Sequence, residues 1–219
     1  MADSDQPRIP LSRDRILRAA LALADEGGIE QLTMRKLGQT LGYEAMSLYN
    51  HVANKDDLID GILDLVLDET EPPTPGEAWD VGIRRSAVSV YEALRRHPWA
   101  CSLLMSPDHV RPVRLRTMDA LLGALRDAGF PPETVYHAYH VLDGYILGFS
   151  LWHWSHTYTP AQVDDLVEQF ARTITPDLYP HLHEHAQQHM SEGPHREASA
   201  FEVGLDLILD GLAALRRSA

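Results

Sequence analysis

The chain has almost no cysteine and no long apolar run, and these two shortages restrict its class. Cys101 is the only cysteine among 219 residues. An internal disulfide is therefore excluded, and a reducing compartment is expected. No stretch approaches the roughly 18–20 apolar residues that a membrane-spanning helix needs. The first residues are polar and acidic, unlike a secretory signal, so we expect a cytoplasmic protein that does not associate with membranes.

Sequence patterns typical of enzymes are also missing. The chain contains no glycine-rich phosphate loop, no Gly-X-Ser-X-Gly elbow and no recognisable pair of catalytic carboxylates. Cys101 lies in an apolar stretch without an obvious activating base, which indicates a buried and unreactive thiol. We therefore expect neither an enzymatic activity nor a cofactor.

Positive charge is scarce and unevenly distributed. The chain has 19 Lys and Arg against 32 Asp and Glu, a formal net charge of −13. Residues 1–60 account for −3 of this charge and residues 61–219 for −10. If the first part binds a polyanion, the acidic remainder would repel that polyanion and favour one docking orientation.

Helical periodicity runs through the whole chain, and no strand pattern competes with it, so an all-α fold is predicted. The stretch at 132–156 is apolar almost all round, which predicts deep burial. The breaker Pro72-Pro73-Thr74-Pro75-Gly76 is the expected domain boundary. Helices are expected at about 12–26, 33–41, 45–51, 55–70, 77–96, 112–128, 132–156, 160–173 and 197–216, and the short apolar segment at 99–105 is expected to be buried.

The segment that begins at Thr33 shows the pattern of a helix-turn-helix. Thr33 can cap a short helix, and Leu37 and Leu41 give that helix an apolar face. Gly42 follows, where a left-handed C-cap residue is expected. A second short helix at 45–51 would present polar and aromatic side chains, as a recognition helix does in the major groove. On this pattern alone, a DNA-reading hairpin and an ordinary surface hairpin are equally good interpretations.

The surrounding sequence favours the DNA-reading interpretation through its resemblance to a known family. The relevant motifs are Gly-Ile-Glu-Gln-Leu-Thr-Met-Arg-Lys-Leu at 28–37 and Ser-Leu-Tyr-Asn-His-Val-Ala-Asn-Lys-Asp-Asp-Leu at 47–58. They closely resemble the DNA-binding domain of the TetR family of bacterial transcriptional repressors. The resemblance runs without a gap from about Ile16 to Leu63. Residues 75–217 resemble, more weakly, the ligand-binding and dimerising half of the tetracycline repressor.

This resemblance implies a domain organisation and a function. Residues 1–11 would form a flexible arm, 12–70 a helix-turn-helix domain with a connecting helix, and 75–219 a ligand-binding and dimerisation domain. The expected protein is a transcriptional regulator, most simply a repressor, that a small molecule releases from its operator in the bacterial nucleoid. An all-α interaction module without DNA binding is the alternative. The sequence does not decide between repression and activation.

Several DNA contacts can be carried over from the family. Thr33 would offer its hydroxyl and a helix N-terminus to phosphate, and Arg35 matches a position that reaches a base. Tyr49, His51 and Lys55 match positions that contact phosphate. The complete set of predicted DNA contacts is Thr33, Arg35, Ala45, Met46, Ser47, Tyr49, Asn50, His51 and Lys55.

Two further features concern the sequence and charge of this surface. Ala45-Met46-Ser47 stands where the tetracycline repressor has Gln-Pro-Thr, and Asn50 replaces its Trp, so a different operator is expected. Arg13 and Lys36 are expected to add positive charge to the same surface. Because one head contacts few base pairs, a palindromic operator and a homodimer are expected, with the heads about 34–36 Å apart or a multiple of this distance. Helices at about 132–156 and 197–216 are the predicted dimer interface.

The resemblance also implies a pocket for an effector, and aromatic, Met and scattered polar side chains are its candidate lining. Plain core packing is the alternative for each of these residues. The candidates are Trp99, Leu103, Met105, Met118, Leu122, Tyr139, Asp143, Ile146, Phe149, Trp152 and His153.

The family alignment argues against a tetracycline–magnesium effector. Trp152 stands where the tetracycline repressor has a Glu, and Leu103 falls near the position of its His. Neither side chain can ligate Mg²⁺, which prefers oxygen donors. We therefore expect a bulky apolar or aromatic effector with His153 or Asp143 as the polar anchor, and no bound metal.

A group of histidines suggests a competing metal site. Pairs four residues apart among His181, His183, His185 and His189 can place two imidazoles on one helix face. The segment is bounded by prolines, holds no cysteine and lacks the spacing of the zinc proteases. A solvated loop or a short surface helix is the simpler interpretation.

Overall fold

The computed structural model describes residues 10–106, 111–155, 160–191 and 195–218, and within these ranges the chain is helical with no strand. The all-α prediction is therefore confirmed. No helix in these ranges is long and apolar enough to cross a membrane. The α-helices are α1 (Arg13–Gly27), α2 (Met34–Leu41), α3 (Ala45–Leu48), α4 (Lys55–Asp68), α5 (Trp79–Arg96), α6 (Trp99–Leu104), α7 (Pro112–Asp127), α8 (Pro132–Ser155), α9 (Pro160–Thr173), α10 (Pro180–Ser191) and α11 (His195–Ser218).

Contacts between helices divide the chain into two compact units, Met1–Leu125 and Arg126–Ala219. In the first unit, α1 packs against α2 and α4, and α2 packs against α3. In the second unit, α8 packs against α11.

Three helices of the first unit begin at capping side chains. The side-chain oxygens of Ser12, Thr33 and Asn54 each accept a hydrogen bond from the amide three residues later, at 3.3, 3.2 and 2.8 Å. Such caps satisfy amides that have no partner within the helix. Gly42 ends α2 in the left-handed conformation, with φ of 75°. The sequence signals for the start and the end of α2 are thus confirmed.

An apolar core holds the helix-turn-helix together. Leu48 and Val52, on either side of the recognition segment, are almost completely buried. They join other side chains of α1, α2 and α4 that are also shielded from solvent: Ile16, Ala20, Leu37, Leu58 and Ile62. Burial of such side chains is the main favourable contribution to folding this unit.

The recognition helix is shorter than predicted. A helix over 45–51 was expected, but α3 is regular only over Ala45–Leu48. The amides of Asn50 and His51 bond to carbonyls three residues back, at 3.4 and 2.9 Å. This tighter hydrogen bonding turns the chain early, so that buried Val52 can enter the core before Asn54 caps α4.

The prediction that 132–156 is deeply buried was wrong. One stripe of α8, which includes Val135, Leu142 and Ile146, is buried. On both flanks of this stripe, α8 exposes large apolar and aromatic side chains: Tyr136, Val141, Trp152 and Trp154. Among the described helices of this unit, only α11 makes extensive contact with α8, so a single chain covers only part of an apolar helix.

A close crossing joins α8 to α11. The Tyr145 hydroxyl donates to the carbonyl of Phe201 at 2.8 Å, and the two rings stack with centroids 5.3 Å apart. A Cβ atom at Gly204 would overlap the Tyr145 ring and hydroxyl. A larger residue at 204 would therefore require the Tyr145 side chain to shift.

Gly38 is a comparable constraint in the first unit, and we predict that Gly38→Ala destabilises the protein. A Cβ atom there would lie 2.7 Å from the backbone oxygen of Tyr43, which cannot move without distorting the turn. The expected loss is about 1–3 kcal/mol in the free energy of unfolding, measured by urea denaturation.

Gly123→Ala is the matched control because a Cβ at Gly123 in α7 meets nothing within 4 Å. It should stabilise the protein by about 0.5–1 kcal/mol, since alanine favours helix formation. Equal stability of Gly38→Ala and the unsubstituted protein would contradict the close-packing argument.

Candidate nucleic-acid interface

The structure leaves all nine predicted DNA contacts at least partly accessible. Met46 is 75% exposed and Tyr49 is 43% exposed, both unusual for large apolar or aromatic side chains. The half-buried residues are Ala45, Ser47 and His51, and the exposed residues are Thr33, Arg35, Met46, Tyr49, Asn50 and Lys55.

The charges on this surface are available to a partner. Within the described part of the chain, no acidic side chain forms an ion pair with Arg35 or Lys55. Thr33 uses an oxygen lone pair to accept from the Lys36 amide at 3.2 Å. Its hydroxyl proton can still be donated to an acceptor such as a phosphate oxygen.

Arg13 was expected to add free positive charge to this surface, but its guanidinium is hydrogen-bonded to other residues of the first unit. Its guanidinium makes two hydrogen bonds to the Asp57 carboxylate, at 2.7 and 2.9 Å, and a third to the carbonyl of His51 at 3.2 Å. Asp57 also accepts from the Ala53 amide at 2.8 Å. The end of the recognition segment is thereby tied to α1 and α4, and Arg13 is not a free charge on the surface.

This network also controls the ionisation of Asp57. Hydrogen bonds from Arg13, with a contribution from the Ala53 amide, lower the pKa of Asp57 from 3.8 to about 2. Asp57 and Arg13 were not predicted as partners. The only local signal was the capping spacing of Asn54 and Asp57, because the two members of the ion pair lie 44 residues apart.

A second polar junction links three helices of the first unit. The His97 Nδ1 atom lies 2.7 Å from Asp25 of α1, and its Nε2 atom lies 3.2 Å from Glu69 at the end of α4. Asp25 also accepts from the Trp99 indole N–H at 2.8 Å. Burial alone would raise the pKa of Glu69, but hydrogen bonds from Arg96 and His97 outweigh burial and lower it.

The effector candidates in the first unit have different environments. Trp99 is buried, and its indole N–H is already used by Asp25. Met105 is exposed, whereas Leu103, Met118 and Leu122 are half-buried. Of Leu103, Met118 and Leu122, a ligand can contact only the solvent-accessible atoms.

In the second unit the structure brings Phe149 and Trp152 together, with ring centroids 5.8 Å apart. Tyr145 and Phe201 join this cluster, with centroids 5.6 and 5.5 Å from Phe149, although neither was predicted as a lining residue. The other candidates are half-buried Tyr139, Asp143 and His153, and buried Ile146.

The histidine-rich segment forms α10. His183 donates from Nδ1 to the carbonyl of Ile174 at 3.1 Å, and its Nε2 atom accepts from Gln187 at 3.0 Å. Both nitrogens are therefore used within the protein. The His189 side chain lies outside the described residues. Across the side chains that the structure describes, no group of three His, Cys, Asp or Glu residues is arranged to hold a metal ion.

Two protein-family models match most of the chain. Residues 16–62 match the model described as bacterial regulatory proteins, tetR family. Residues 71–216 match the model described as tetracyclin repressor-like, C-terminal domain.

Individual proteins give a similar result. An HTH-type transcriptional regulator from Saccharopolyspora erythraea is 36% identical over 63% of this chain, and the match spans only 59% of that relative's length. A class A tetracycline repressor from Escherichia coli is 29% identical over 94% of this chain and 92% of its own. The structure of ActR from Streptomyces coelicolor in complex with actinorhodin is 28% identical, with a TM-score of 0.74, and covers 94% of this chain and 96% of its own.

We predict that Asp57→Asn removes an acid-sensitive contribution to stability. A folded-state pKa below the ordinary value stabilises the protein above pH 3.8, and this contribution is lost as the pH falls towards 2. The melting temperature of the unsubstituted protein should therefore fall more steeply than that of Asp57→Asn between pH 5 and the lowest pH at which the protein stays folded.

Asp14→Asn is the control, since Asp14 forms only an exposed ion pair with Arg18. Exposed pairs contribute little to stability. Parallel pH profiles for Asp57→Asn and the unsubstituted protein would show that the Arg13 contact does not stabilise the fold.

Proposed function

Because the chain belongs to the TetR family of bacterial regulatory proteins, we propose that it is a dimeric, effector-controlled transcriptional regulator that binds operator DNA. The observation that carries this proposal is the exposed helix-turn-helix surface. Arg35, Tyr49 and Lys55 are accessible there, while Arg13 and Asp57 fix the same segment from behind. Exposed aromatic and basic side chains on a segment fixed by an ion pair are typical of a recognition helix, and an ordinary surface hairpin has no use for them.

Under this proposal, residues 12–70 form the DNA-binding domain with its connecting helix, and 75–219 form the domain that dimerises and binds the effector. Residues 1–11 are the proposed arm, of which residues 1–9 lie outside the described residues. Repression is the proposed mode of regulation, in keeping with the relatives named as repressors. The effector would act by changing the distance between the two recognition segments.

The proposed dimer interface is formed by exposed residues of α8 and α11. Tyr136 and Val141 on α8, and Val203 and Leu207 on α11, are large exposed apolar side chains. A Cβ at Gly144 or Gly148 would meet nothing within 4 Å in the single chain, which leaves room for a partner helix. Pairing two copies would form a four-helix bundle and remove this apolar surface from water.

We further propose that the effector is a bulky aromatic molecule that binds without magnesium. ActR, a related structure, is in complex with a small molecule, actinorhodin. Phe149 and Trp152 lie together in this chain, and half-buried His153 or Asp143 is the proposed polar anchor. Trp152 and Leu103 replace the residues expected to hold a tetracycline–magnesium complex, and neither can donate oxygen to the ion.

We predict that Arg35→Ala and Tyr49→Ala both weaken operator binding without lowering thermal stability. Arg35→Ala should also reduce discrimination at one base pair by about 1–3 kcal/mol, because arginine reads base edges in the major groove. Tyr49→Ala should weaken binding to every sequence alike. The measurement is fluorescence anisotropy with the intergenic DNA beside the gene, at two salt concentrations, against a scrambled duplex.

Arg95→Ala is the matched control, since it removes the same charge from α5, where Arg95 pairs with Glu92. It should bind as the unsubstituted protein does. If Arg35→Ala and Tyr49→Ala also bind normally, the assigned surface is wrong. Binding that does not exceed the scrambled duplex by roughly 10³ or more would argue against a sequence-specific regulator of this DNA.

We predict that a planar aromatic compound quenches the tryptophan fluorescence of the protein equally with magnesium or with a chelator. One of the two substitutions His153→Ala and Asp143→Ala should weaken this binding, because one of these side chains is the proposed polar anchor. Tetracycline with magnesium is the comparison ligand. Tight binding of tetracycline that disappears on chelation would overturn the proposed effector class.

A further inference from the structure

Helix α4 carries three carboxylates on one side. Asp57, Asp60 and Asp64 are spaced by three and four residues, so they project from the same face of the helix. Like charges at such spacings destabilise a helix unless cations compensate them. In this chain each of the three carboxylates is hydrogen-bonded to an arginine from another part of the first unit.

Arg111, immediately before α7, holds two of these carboxylates together. Its Nη1 atom lies 2.9 Å from Asp60, and its Nε and Nη2 atoms lie 3.1 and 2.7 Å from the two oxygens of Asp64. The three side chains are only about one-quarter exposed. The planar guanidinium makes a bidentate contact with Asp64 and reaches Asp60 with its remaining nitrogen, an arrangement that fixes direction as well as distance.

The third carboxylate connects this arrangement to the recognition segment. Asp57 lies one turn before Asp60 and is held by Arg13, which also donates to the His51 carbonyl. Arg13 is the main cause of the lowered pKa of Asp57, and the positive charge of Arg111 contributes to the same shift. The two arginines therefore act on one continuous acidic face.

The contact of Arg111 with Asp60 joins parts of the chain that match two different family models. The Arg111 carbonyl accepts the Leu115 amide at 3.0 Å, so the residue is fixed to the first turn of α7. It falls within the region that matches the C-terminal family model, whereas Asp60 falls within the region that matches the N-terminal one. A displacement of the start of α7 would break three hydrogen bonds and leave two like charges adjacent on α4.

We propose that Arg111 is a positioning residue that holds α4, and through Asp57 and Arg13 the recognition segment, in the orientation that binds operator DNA. This inference rests on the proposed function for its DNA-binding consequence. The arrangement that Arg111 stabilises is the one in which Arg35, Tyr49 and Lys55 are exposed together. Loss of the contact therefore lowers the population of the binding-competent arrangement.

The test compares Arg111→Gln with Arg116→Gln, which removes the same charge from an exposed position on α7. Hydrogen exchange should become faster in α4 and at 49–54 in Arg111→Gln only. Its dissociation constant for the intergenic operator fragment should rise roughly two- to thirtyfold, the usual range for residues that couple two sites. Affinity for a scrambled duplex should match that of Arg116→Gln.

Combining substitutions of Arg111 and of its two partners adds a second criterion. Asp60→Asn with Asp64→Asn should also weaken operator binding, but less than Arg111→Gln does, because no like charges are left adjacent on α4. Adding Arg111→Gln to this pair should cause little further loss, because the partners have already been removed. Arg111→Lys retains the charge but not the fork, and should show an intermediate defect while remaining folded. Fully additive losses would overturn the proposal, as would Arg111→Gln that exchanges and binds like Arg116→Gln, or that binds operator more tightly.

The two proposals can fail separately in this design. If the unsubstituted protein does not prefer the operator fragment to the scrambled duplex, the proposed function fails on this DNA. The exchange rates of α4 and 49–54 still decide whether Arg111 positions them. If operator binding is specific but the exchange rates of Arg111→Gln and Arg116→Gln agree, only the positioning role of Arg111 is rejected.

Discussion

The proposed DNA-reading surface depends on a segment that cannot hold its own shape. Regular α3 has four residues, far fewer than a helix needs to be stable alone in water. Its geometry must be imposed by burial of Leu48 and Val52 and by the contact of Arg13 with Asp57 and the His51 carbonyl. Placement of the reading side chains is therefore a property of α1 and α4 as much as of α3.

The contacts that surround α4 differ in what they specify. Apolar side chains such as Leu58 and Ile62 favour burial but are tolerant of small rotations, because the hydrophobic effect has no direction. The carboxylates of Asp60, Asp64 and Glu69 are bound by directional hydrogen bonds from Arg111, Arg96 and His97. Such polar contacts contribute little net stability where they are exposed, yet they distinguish one orientation of a helix from another. This difference suits the proposed role of α4, which is to hold the recognition segment in one orientation.

Local signals in the sequence predicted the start and end of most helices, but not the contacts between distant residues. Thr33, Gly42 and Asn54 act within three or four residues, so their roles follow from the sequence itself. Arg13 and Asp57 lie 44 residues apart, and Arg111 lies 47 and 51 residues from its partners, so no periodicity reveals these pairs.

The length of α3 was overestimated because the core position of Val52, not helix propensity, decides where the chain turns. The burial of α8 was overestimated because an apolar sequence pattern does not indicate whether the same chain or a second copy covers the helix. Resemblance to the family supplied the predicted DNA-contact positions, which composition and spacing alone left undecided.

The proposed DNA-binding protein is acidic overall, and two of its arginines bind its own carboxylates. Most basic residues are arginine, since Lys36 and Lys55 are the only lysines in the sequence. Arg13 and Arg111 are committed to carboxylates inside the first unit, so they stabilise the interface without adding free charge to it. Few cations then remain to release counterions from phosphate, and we infer a shallow dependence of DNA affinity on salt. With weak non-specific attraction, affinity for the correct site has to come from base contacts by the recognition segment and from the simultaneous engagement of two heads. Both requirements depend on accurate placement of α3, so under the proposed function the internal arginines would contribute to specificity through geometry rather than through their own contact with DNA.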